Sequence, residues 1–449
     1  MIKTDILIIG GGPAGLVTAV TARKHNSDKR ITLIRQEKKS IIPCGIPYIF
    51  NRLDSTEKDV APDKPLEVNK IDLLIDEVVK IEPSNKKILL KKNKEMSYQK
   101  LVLATGSAPS LIPIKGIEKE GVWLVKKDFD YLEKMRQAVL KSKDTVIIGG
   151  GFIGMELAEE LSSLKGLNIS VVEKLDFCLG TTFDEEFALA GQEKLKEKGI
   201  KIYTKTGVAE IAGQGKVEYV RLDNNEQIPA DLVILSIGAR PKTNLAKEAG
   251  LKIGEKGGIW VDEYMRTNLA DIFAVGDCAE TKEFFTGKFI PVMLASTAAS
   301  EARIAGANLY QLEILRENKG TLGAFSTFLN GLTLGAAGFS EKTAKAEGFD
   351  IVIGQGEAPN HHPGSLPDTE KIKVKLVFAK SSGILLGGQV MGPTGIAEMI
   401  NLLSLAIQQG VTLYDFDTLQ ISTHPLLTSA PTVYPLIIAA QSALMKLNR

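Results

Sequence analysis

Cysteine is scarce in this chain: three in 449 residues, at positions 44, 178 and 278. An odd and scattered set argues against a disulfide framework and suits a reducing compartment. Histidine is nearly as rare, with four in all. His361 and His362 are adjacent, cannot share one metal-facing side of a helix, and have no ligand set beside them, so no metal site is expected. An excess of one charge is missing too. Lys and Arg number 55 against 54 Asp and Glu, a net +1, which gives no bulk attraction to nucleic acid or to a membrane surface. No apolar run approaches the roughly 18 residues of a spanning helix. The opening Met1-Ile-Lys-Thr-Asp-Ile6 lacks the succession of a signal peptide, so a cytoplasmic location is expected. Low-complexity segments are absent as well. What remains is globular, 44% hydrophobic and 24% charged, and long enough for about three domains.

Glycine, by contrast, is plentiful and ordered. Asp5-Ile-Leu-Ile-Ile-Gly-Gly-Gly-Pro-Ala-Gly15 returns as Thr145-Val-Ile-Ile-Gly-Gly-Gly-Phe-Ile-Gly154. Each copy is an apolar strand, a glycine turn and the start of a helix, expected over Leu16–Lys24 and Met155–Lys165. Gly10, Gly12 and Gly15 match G-x-G-x-x-G, and so do Gly149, Gly151 and Gly154. Glycine there permits a tight turn, lets backbone approach a pyrophosphate, and lets helix pack on strand, with the phosphates at the positive helix end. Two copies imply two nucleotide domains.

A carboxylate is due about twenty residues on, to accept from ribose hydroxyls. In the second unit Ile169-Ser-Val-Val-Glu173 supplies Glu173, nineteen residues after Gly154. An acid there repels a 2′-phosphate, which favours NADH over NADPH. In the first unit the spacing after Ile31-Thr-Leu-Ile34 lands on Arg35. Either Glu37, two residues later, takes the role or this ribose is held differently.

From about residue 325 a third pattern begins. Strands are expected at Phe325–Leu334 and Lys371–Phe378, with a helix from Ser340 to Glu347 capped by Ser340. Longer helices are expected at Ala397–Gln409 and Leu436–Leu447, the latter after a Pro-, Thr- and Ser-rich stretch. A mixed sheet with helices on one side would result. Between the two glycine loops lies Ser40-Ile-Ile-Pro-Cys-Gly-Ile-Pro-Tyr48, about thirty residues past the first. No second cysteine lies near Cys44 in sequence. Such a thiol can form a mixed disulfide with a small molecule, a persulfide or a sulfenic acid, but no internal pair with a neighbour.

Two more segments, Leu101-Val-Leu-Ala-Thr-Gly-Ser-Ala-Pro109 and Asp271-Ile-Phe-Ala-Val-Gly-Asp-Cys-Ala279, complete an ordered set. With the glycine loops and Pro43-Cys-Gly-Ile-Pro-Tyr48, the chain resembles the pyridine nucleotide–disulfide oxidoreductases of the single-cysteine class. It is most similar there to coenzyme A-disulfide reductases, NADH oxidases and NADH-dependent persulfide or polysulfide reductases. The resemblance implies an α/β fold: two Rossmann-like dinucleotide-binding domains plus a C-terminal α+β dimerisation domain. Residues 1–112 and 246–324 would form the FAD domain, 113–245 the NAD domain and 325–449 the dimerisation domain.

It also implies roles. FAD would be held by Gly10, Gly12, Pro13, Ala14 and Gly15, by Ala104, Thr105 and Gly106, and by Gly276 and Asp277, the aspartate on the ribityl chain. The helix after Pro291–Thr297, including Thr297, would point its positive end at the flavin pyrimidine. Phe152 would gate the flavin face and Glu156 would lie near the nicotinamide; the alternative is that they are ordinary packing and helix-start residues. Ile153, Val78 and Gly238 complete the cofactor positions. Cys44 would sit on the flavin face opposite NADH, whereas Cys178 and Cys278 are expected to be structural. Arg23, Lys24, Lys29, Arg30, Lys38 and Lys39 either bind the adenosine phosphates of a coenzyme A substrate or form a solvated face.

One departure stands out. Thr423 lies where the family's leaving-group tyrosine is expected, followed by His424-Pro425, and no orienting glutamate follows between Leu426 and Ala430. His424 is either the proton donor, supplied across a homodimer, or structural; Tyr434 is the other candidate donor. The expected activity is NADH-dependent reduction of a small disulfide, persulfide or polysulfide. The alternatives are an NADH oxidase or peroxidase cycling Cys44 through sulfenic acid, and a flavin-dependent electron-transfer reductase or redox sensor with a protein partner.

Overall fold

The structure is a computed structural model and describes residues 2–315 and 317–447. Met1 and residues 448–449, the outer ends of the first and last assigned segments, lie outside the described residues. Contacts divide the chain into two compact units. The first contains Met1–Ile112, Leu124–Lys141 and Ile237–Thr321; the second contains Pro113–Trp123, Ser142–Ser236 and Leu322–Arg449. The helix Phe129–Val139 therefore packs with the first unit, although it lies inside the 113–245 segment assigned to NAD.

In the first unit a five-stranded sheet runs Ile272–Ala274, Lys100–Leu103, Ile6–Ile9, Ile31–Arg35, Asp72–Ile75, every neighbouring pair parallel. Ile6, Leu7 and Ile8 are fully buried. A parallel strand covered on both faces has no polar side, which is why the sequence shows an unbroken apolar run there. Each such side chain contributes about 1.5–3 kcal/mol. The helix Pro13–His25, expected from Leu16, begins three residues earlier because Pro13 suits the first helical turn. It packs on the helix Ala295–Ala307. Gly306 makes that approach close: a Cβ there would come within 2.9 Å of the Thr18 carbonyl oxygen.

The second unit repeats the arrangement. Leu232–Leu235, Asp144–Ile148, Asn168–Val172 and Lys201–Tyr203 are parallel neighbours. The helix spans Phe152–Leu161, starting before and ending before the expected 155–165. The internal echo is exact enough to measure. Gly10 and Gly149 have φ of 118° and 107°, and the helix caps Gly12 and Gly151 have φ of −75° and −74°. A side chain at Gly15 would run into the Gly10 carbonyl, and one at Gly154 into that of Gly149.

The C-terminal sheet departs from expectation. It is antiparallel throughout rather than mixed, in the order Phe325–Leu329, Leu332–Gly338, Leu385–Gly392, Lys371–Ala379, Ile351–Pro359. The single strand expected over Phe325–Leu334 is a hairpin, turning at Asn330 and Gly331 with φ of 44° and 86°. Asn-Gly is the usual residue pair for that turn. Ile351–Pro359 and Leu385–Gly392 were not identified as strands because glycines interrupt their apolar pattern. Those glycines serve packing: a Cβ at Gly354 or Gly356 would collide with the backbone of the helix Pro435–Leu447. The Ser340 cap is as expected, accepting from Thr343 N at 3.2 Å ahead of Glu341–Ala346. Among the described residues no helix is long and apolar enough to cross a membrane.

Candidate functional site

The first glycine loop closes at the carboxyl end of its sheet. Gly10 N donates to the Ile34 carbonyl at 2.8 Å, and Ala104 N to that of Ile9 at 2.8 Å. Gly10 has no room for a side chain, since Ala104 lies against it, whereas Gly12 and Gly106 open onto space. The helix beginning at Pro13 has no side-chain cap and no acid in its first turn. Its leading N–H groups, from Ala14 and Gly15 onward, and its positive dipole end suit an anion.

Gly276 packs against Ala14, where a Cβ would come within 2.8 Å of the alanine methyl. Glu301, buried beneath, accepts from Gly276 N at 2.8 Å, and burial pushes its carboxyl up to about 8. Asp277 Oδ2 accepts from Ser107 Oγ at 2.7 Å and from Lys127 Nζ at 2.9 Å. Ser107 directly follows the Ala104-Thr105-Gly106 run, so two sequence-distant fingerprints meet through it. Neither Ser107 nor Lys127 was singled out from sequence. Ser107 had a signal in its neighbours; Lys127 had none. Thr105 Oγ1 donates to the Lys242 carbonyl at 2.7 Å. Thr297 pairs its hydroxyl with Thr321 at 2.8 Å, and Val78 is buried at the start of its strand. Gly238, with φ of 93°, belongs to the first unit, where its carbonyl accepts from Ser110 N at 2.9 Å.

Cys44 is an exposed thiol at the head of the 3-10 helix Pro43–Phe50, also in the first unit. Gly45 beside it abuts the Asp59 carboxylate, leaving no space for a side chain. Burial alone pushes that carboxyl up to about 6. Glu37 is half-buried, and Arg35 fills the strand-end position where a ribose carboxylate is ordinarily due. The run of basic residues is divided. Arg23 is committed to carbonyls of Asn69, Ser27, Lys29 and Lys70 at the far end of its helix, and Arg30 pairs with Asp72 at 2.8 Å. Lys29 pairs with Asp28 at 3.2 Å, and Lys39 with Glu57 while lying over the Phe129 ring. Lys24 and Lys38 remain exposed.

In the second unit the helix after Gly151 likewise lacks a cap and a first-turn acid. Glu173 closes the loop, accepting from Gly150 N at 2.7 Å and Leu175 N at 2.8 Å. Phe152 stacks on Phe325 with ring centroids 4.9 Å apart and planes 9° from parallel. Ile153 lies between it and the buried Gly154. Glu156 accepts from Thr327 Oγ1 at 3.0 Å; burial drives its carboxyl up to about 7, against that hydrogen bond. Cys178 is fully buried against Gly150, its thiol pushed up to about 12 by burial and then by Glu173. Cys278 is fully buried too, its Sγ 3.4 Å from the Leu103 carbonyl.

His424 is exposed on an ordered loop. Its Nδ1 accepts from Leu426 N at 3.3 Å. The loop is tied down by His362 Nδ1, 2.9 Å from the Thr428 carbonyl, and by Ser429 Oγ to Pro359 O at 2.6 Å. Tyr434 is half-buried, and burial raises its hydroxyl. Among the described residues no group of three or more His, Cys, Asp or Glu is placed to hold a metal ion.

Residues 4–302 match the pyridine nucleotide-disulphide oxidoreductase family, and residues 325–433 match its dimerisation domain. The chain belongs to the pyridine nucleotide-disulphide oxidoreductases. An NADH oxidase from Methanocaldococcus jannaschii is 33% identical, over 98% of this chain and 99% of that protein. A CoA-dependent NAD(P)H sulfur oxidoreductase from Pyrococcus furiosus is also 33% identical, over the same shares. The solved NAD-dependent persulfide reductase from A. fulgidus matches with a TM-score of 0.90 and 33% identity, over 99% of this chain and 84% of that one. Membership of the pyridine nucleotide-disulphide oxidoreductases makes this chain an FAD-dependent NAD(P)H oxidoreductase with a dimerisation domain. The residues present fit those cofactors: each of two glycine loops opens onto an uncapped helix start, and beside the first stands an aspartate held by Ser107 and Lys127.

Proposed function

We propose that the chain reduces a small disulfide, persulfide or polysulfide, of the coenzyme A-disulfide kind, with NADH as donor and Cys44 as the reacting sulfur. One observation carries this: Cys44 is exposed in the same unit as the first glycine loop, whereas Cys178 and Cys278 are fully buried. The names of the relatives, a sulfur oxidoreductase and a persulfide reductase, support the substrate class.

The Cys44 thiolate attacks one sulfur of the substrate, forms a mixed disulfide with it and expels the other sulfur as a thiolate. The expelled thiolate takes one proton. His424 Nε2, from a second copy in a homodimer, is the donor in this reading, and Tyr434 the alternative. The first unit would hold FAD through Gly10–Gly15, Ala104–Gly106, Val78, Asp277 and Thr297, with Lys127 and Ser107 fixing the aspartate. In the second, Gly149–Gly154 would hold the nicotinamide nucleotide, with Phe152 and Glu156 beside its reactive end. Glu173 disfavours a 2′-phosphate and so selects NADH. When bound, FAD supplies the two-electron relay between nicotinamide and sulfur. The domain assignment proposed is residues 1–112 and 246–324 for FAD, 113–245 for NAD and 325–449 for dimerisation.

The NADH oxidase relative favours a second reading, in which Cys44 cycles through sulfenic acid with oxygen or peroxide. Anaerobic reduction with NADH, followed by coenzyme A disulfide, polysulfide, peroxide or oxygen, separates the two. Cys44→Ser is expected to lose turnover with the sulfur acceptors; full turnover of that variant with every acceptor ends the thiol mechanism.

A further inference from the structure

Arg35 is a buried cation at the end of the strand Ile31–Arg35, with its side chain 4% exposed. Nearly every direction of its guanidinium is used. Nη1 and Nη2 donate to the two Asp63 carboxylate oxygens at 2.6 and 2.8 Å. Nε donates to the Glu37 carbonyl at 2.9 Å, and Nη2 to that of Lys38 at 3.0 Å. The aliphatic stem lies on the first glycine loop, where a Cβ at Gly11 would come 2.5 Å from Arg35 Cδ. One side chain therefore touches the glycine loop, the segment that follows the strand, and Asp63.

That segment leads to Cys44, and it is held along its length. Ser40 Oγ donates to the Gly11 carbonyl at 3.1 Å. Ala61 N donates to the Ser40 carbonyl at 2.8 Å, and Ile42 N to that of Asp59 at 3.0 Å. Ile41 and Val60 form an antiparallel bridge. Residues 37–42 thus run between the glycine loop on one side and residues 59–63 on the other. Pro43 then starts the turn that carries Cys44, with Gly45 seated against Asp59.

We infer that Arg35 is a positioning residue for the Cys44 thiol, holding residues 37–42 between the glycine loop and Asp63. Planar bidentate pairing with a carboxylate, plus two carbonyls in the same plane, is a task for arginine; lysine offers only a point charge. The guanidinium is shielded while the Asp63 carboxylate is 35% exposed, so solvent screens the pair only from its outer end. It also accounts for the departure at this position: the residue at the strand end anchors the reactive loop instead of a ribose.

The inference rests on the proposed role of Cys44, and its test separates the two. Arg35→Ala, Arg35→Lys and Asp63→Asn holoenzymes are compared with the parent for FAD per chain, for the rate at which iodoacetamide alkylates each cysteine, and for kcat with a sulfur acceptor. Arg35→Ala is expected to keep its FAD and the protection of Cys178 and Cys278. Its Cys44 alkylation should slow several-fold and its kcat fall at least about tenfold, the scale of a misplaced reacting group. Arg35→Lys should recover only part of either loss. Should Arg35→Ala fail to fold, Asp63→Asn, altered at the more exposed end of the pair, reads the same quantities. Unchanged or faster Cys44 alkylation overturns the inference, as does loss of FAD in step with activity or general exposure of all three cysteines. The alkylation rates do not depend on turnover, so they still report on Arg35 if Cys44→Ser shows that the thiol is not the reacting group.

Discussion

Glu156→Gln tests whether the carboxyl just past the first turn of the helix Phe152–Leu161 is held neutral in the folded protein. Burial is the main cause that moves it from an ordinary 4.5 to about 7; Thr327 opposes this and the Glu160 charge adds to it. In the unfolded chain the group ionises near 4.5, so between that value and 7 the folded protein holds the extra proton. Its contribution to stability is therefore fully present below about 4.5 and is lost as pH rises to about 7. At about 1.4 kcal/mol per tenfold change in proton affinity, the displacement amounts to about 3 kcal/mol, reduced to about 2 because the side chain is not wholly buried. Glutamine has nearly the same shape and keeps an oxygen to accept from Thr327, so the variant removes the titration without opening a cavity. Thermal unfolding of parent and variant from pH 5 to 8, without nicotinamide nucleotide, is the assay. The variant should gain on the parent as pH rises, by a few degrees at pH 8. A Tm difference that stays constant across that range refutes the reasoning.

Three further outcomes follow from the same geometry. Glu173→Ala should lower kcat/KM for NADH and narrow the NADH-to-NADPH preference at least about tenfold, because the carboxylate facing a 2′-phosphate is gone; an unchanged ratio removes Glu173 from nucleotide selection. Lys375 is buried with Asp184, Glu186 and Glu341 at 3.0, 2.7 and 2.8 Å, so Lys375→Met should cost about 3–5 kcal/mol, read as a lowered Tm, by stranding those carboxylates. Iodoacetamide on the native protein at pH 8 should label Cys44 and spare Cys178, whose thiol is pushed up to about 12, and the fully buried Cys278; peptide masses check this, and early labelling of Cys178 would contradict the burial argument.

Much of the candidate site was legible in the chain because its requirements are local. A glycine at φ of 118° or 107° is a backbone demand that only a few residue types meet, so both loops show directly as sequence. The buried parallel strands show as apolar runs for the same kind of reason. What escaped was set by partners far apart. Lys127 reaches Asp277 across 150 positions, and Thr327 reaches Glu156 across 171, with nothing local to mark either. The C-terminal strands were obscured because Gly354 and Gly356 answer to the helix packed on them rather than to strand propensity.

The sequence by itself determined that there are two nucleotide loops, one cysteine standing alone in a Pro-Cys-Gly-Ile-Pro segment and an α/β frame, since turn geometry and hydrophobic period are written residue by residue. Only the tertiary structure decided that Arg35 anchors the Cys44 segment through Asp63, that Cys178 and Cys278 are sealed inside, and that the last sheet is antiparallel throughout. Those outcomes depend on burial and on pairing between distant segments, and both arise only when the chain has folded.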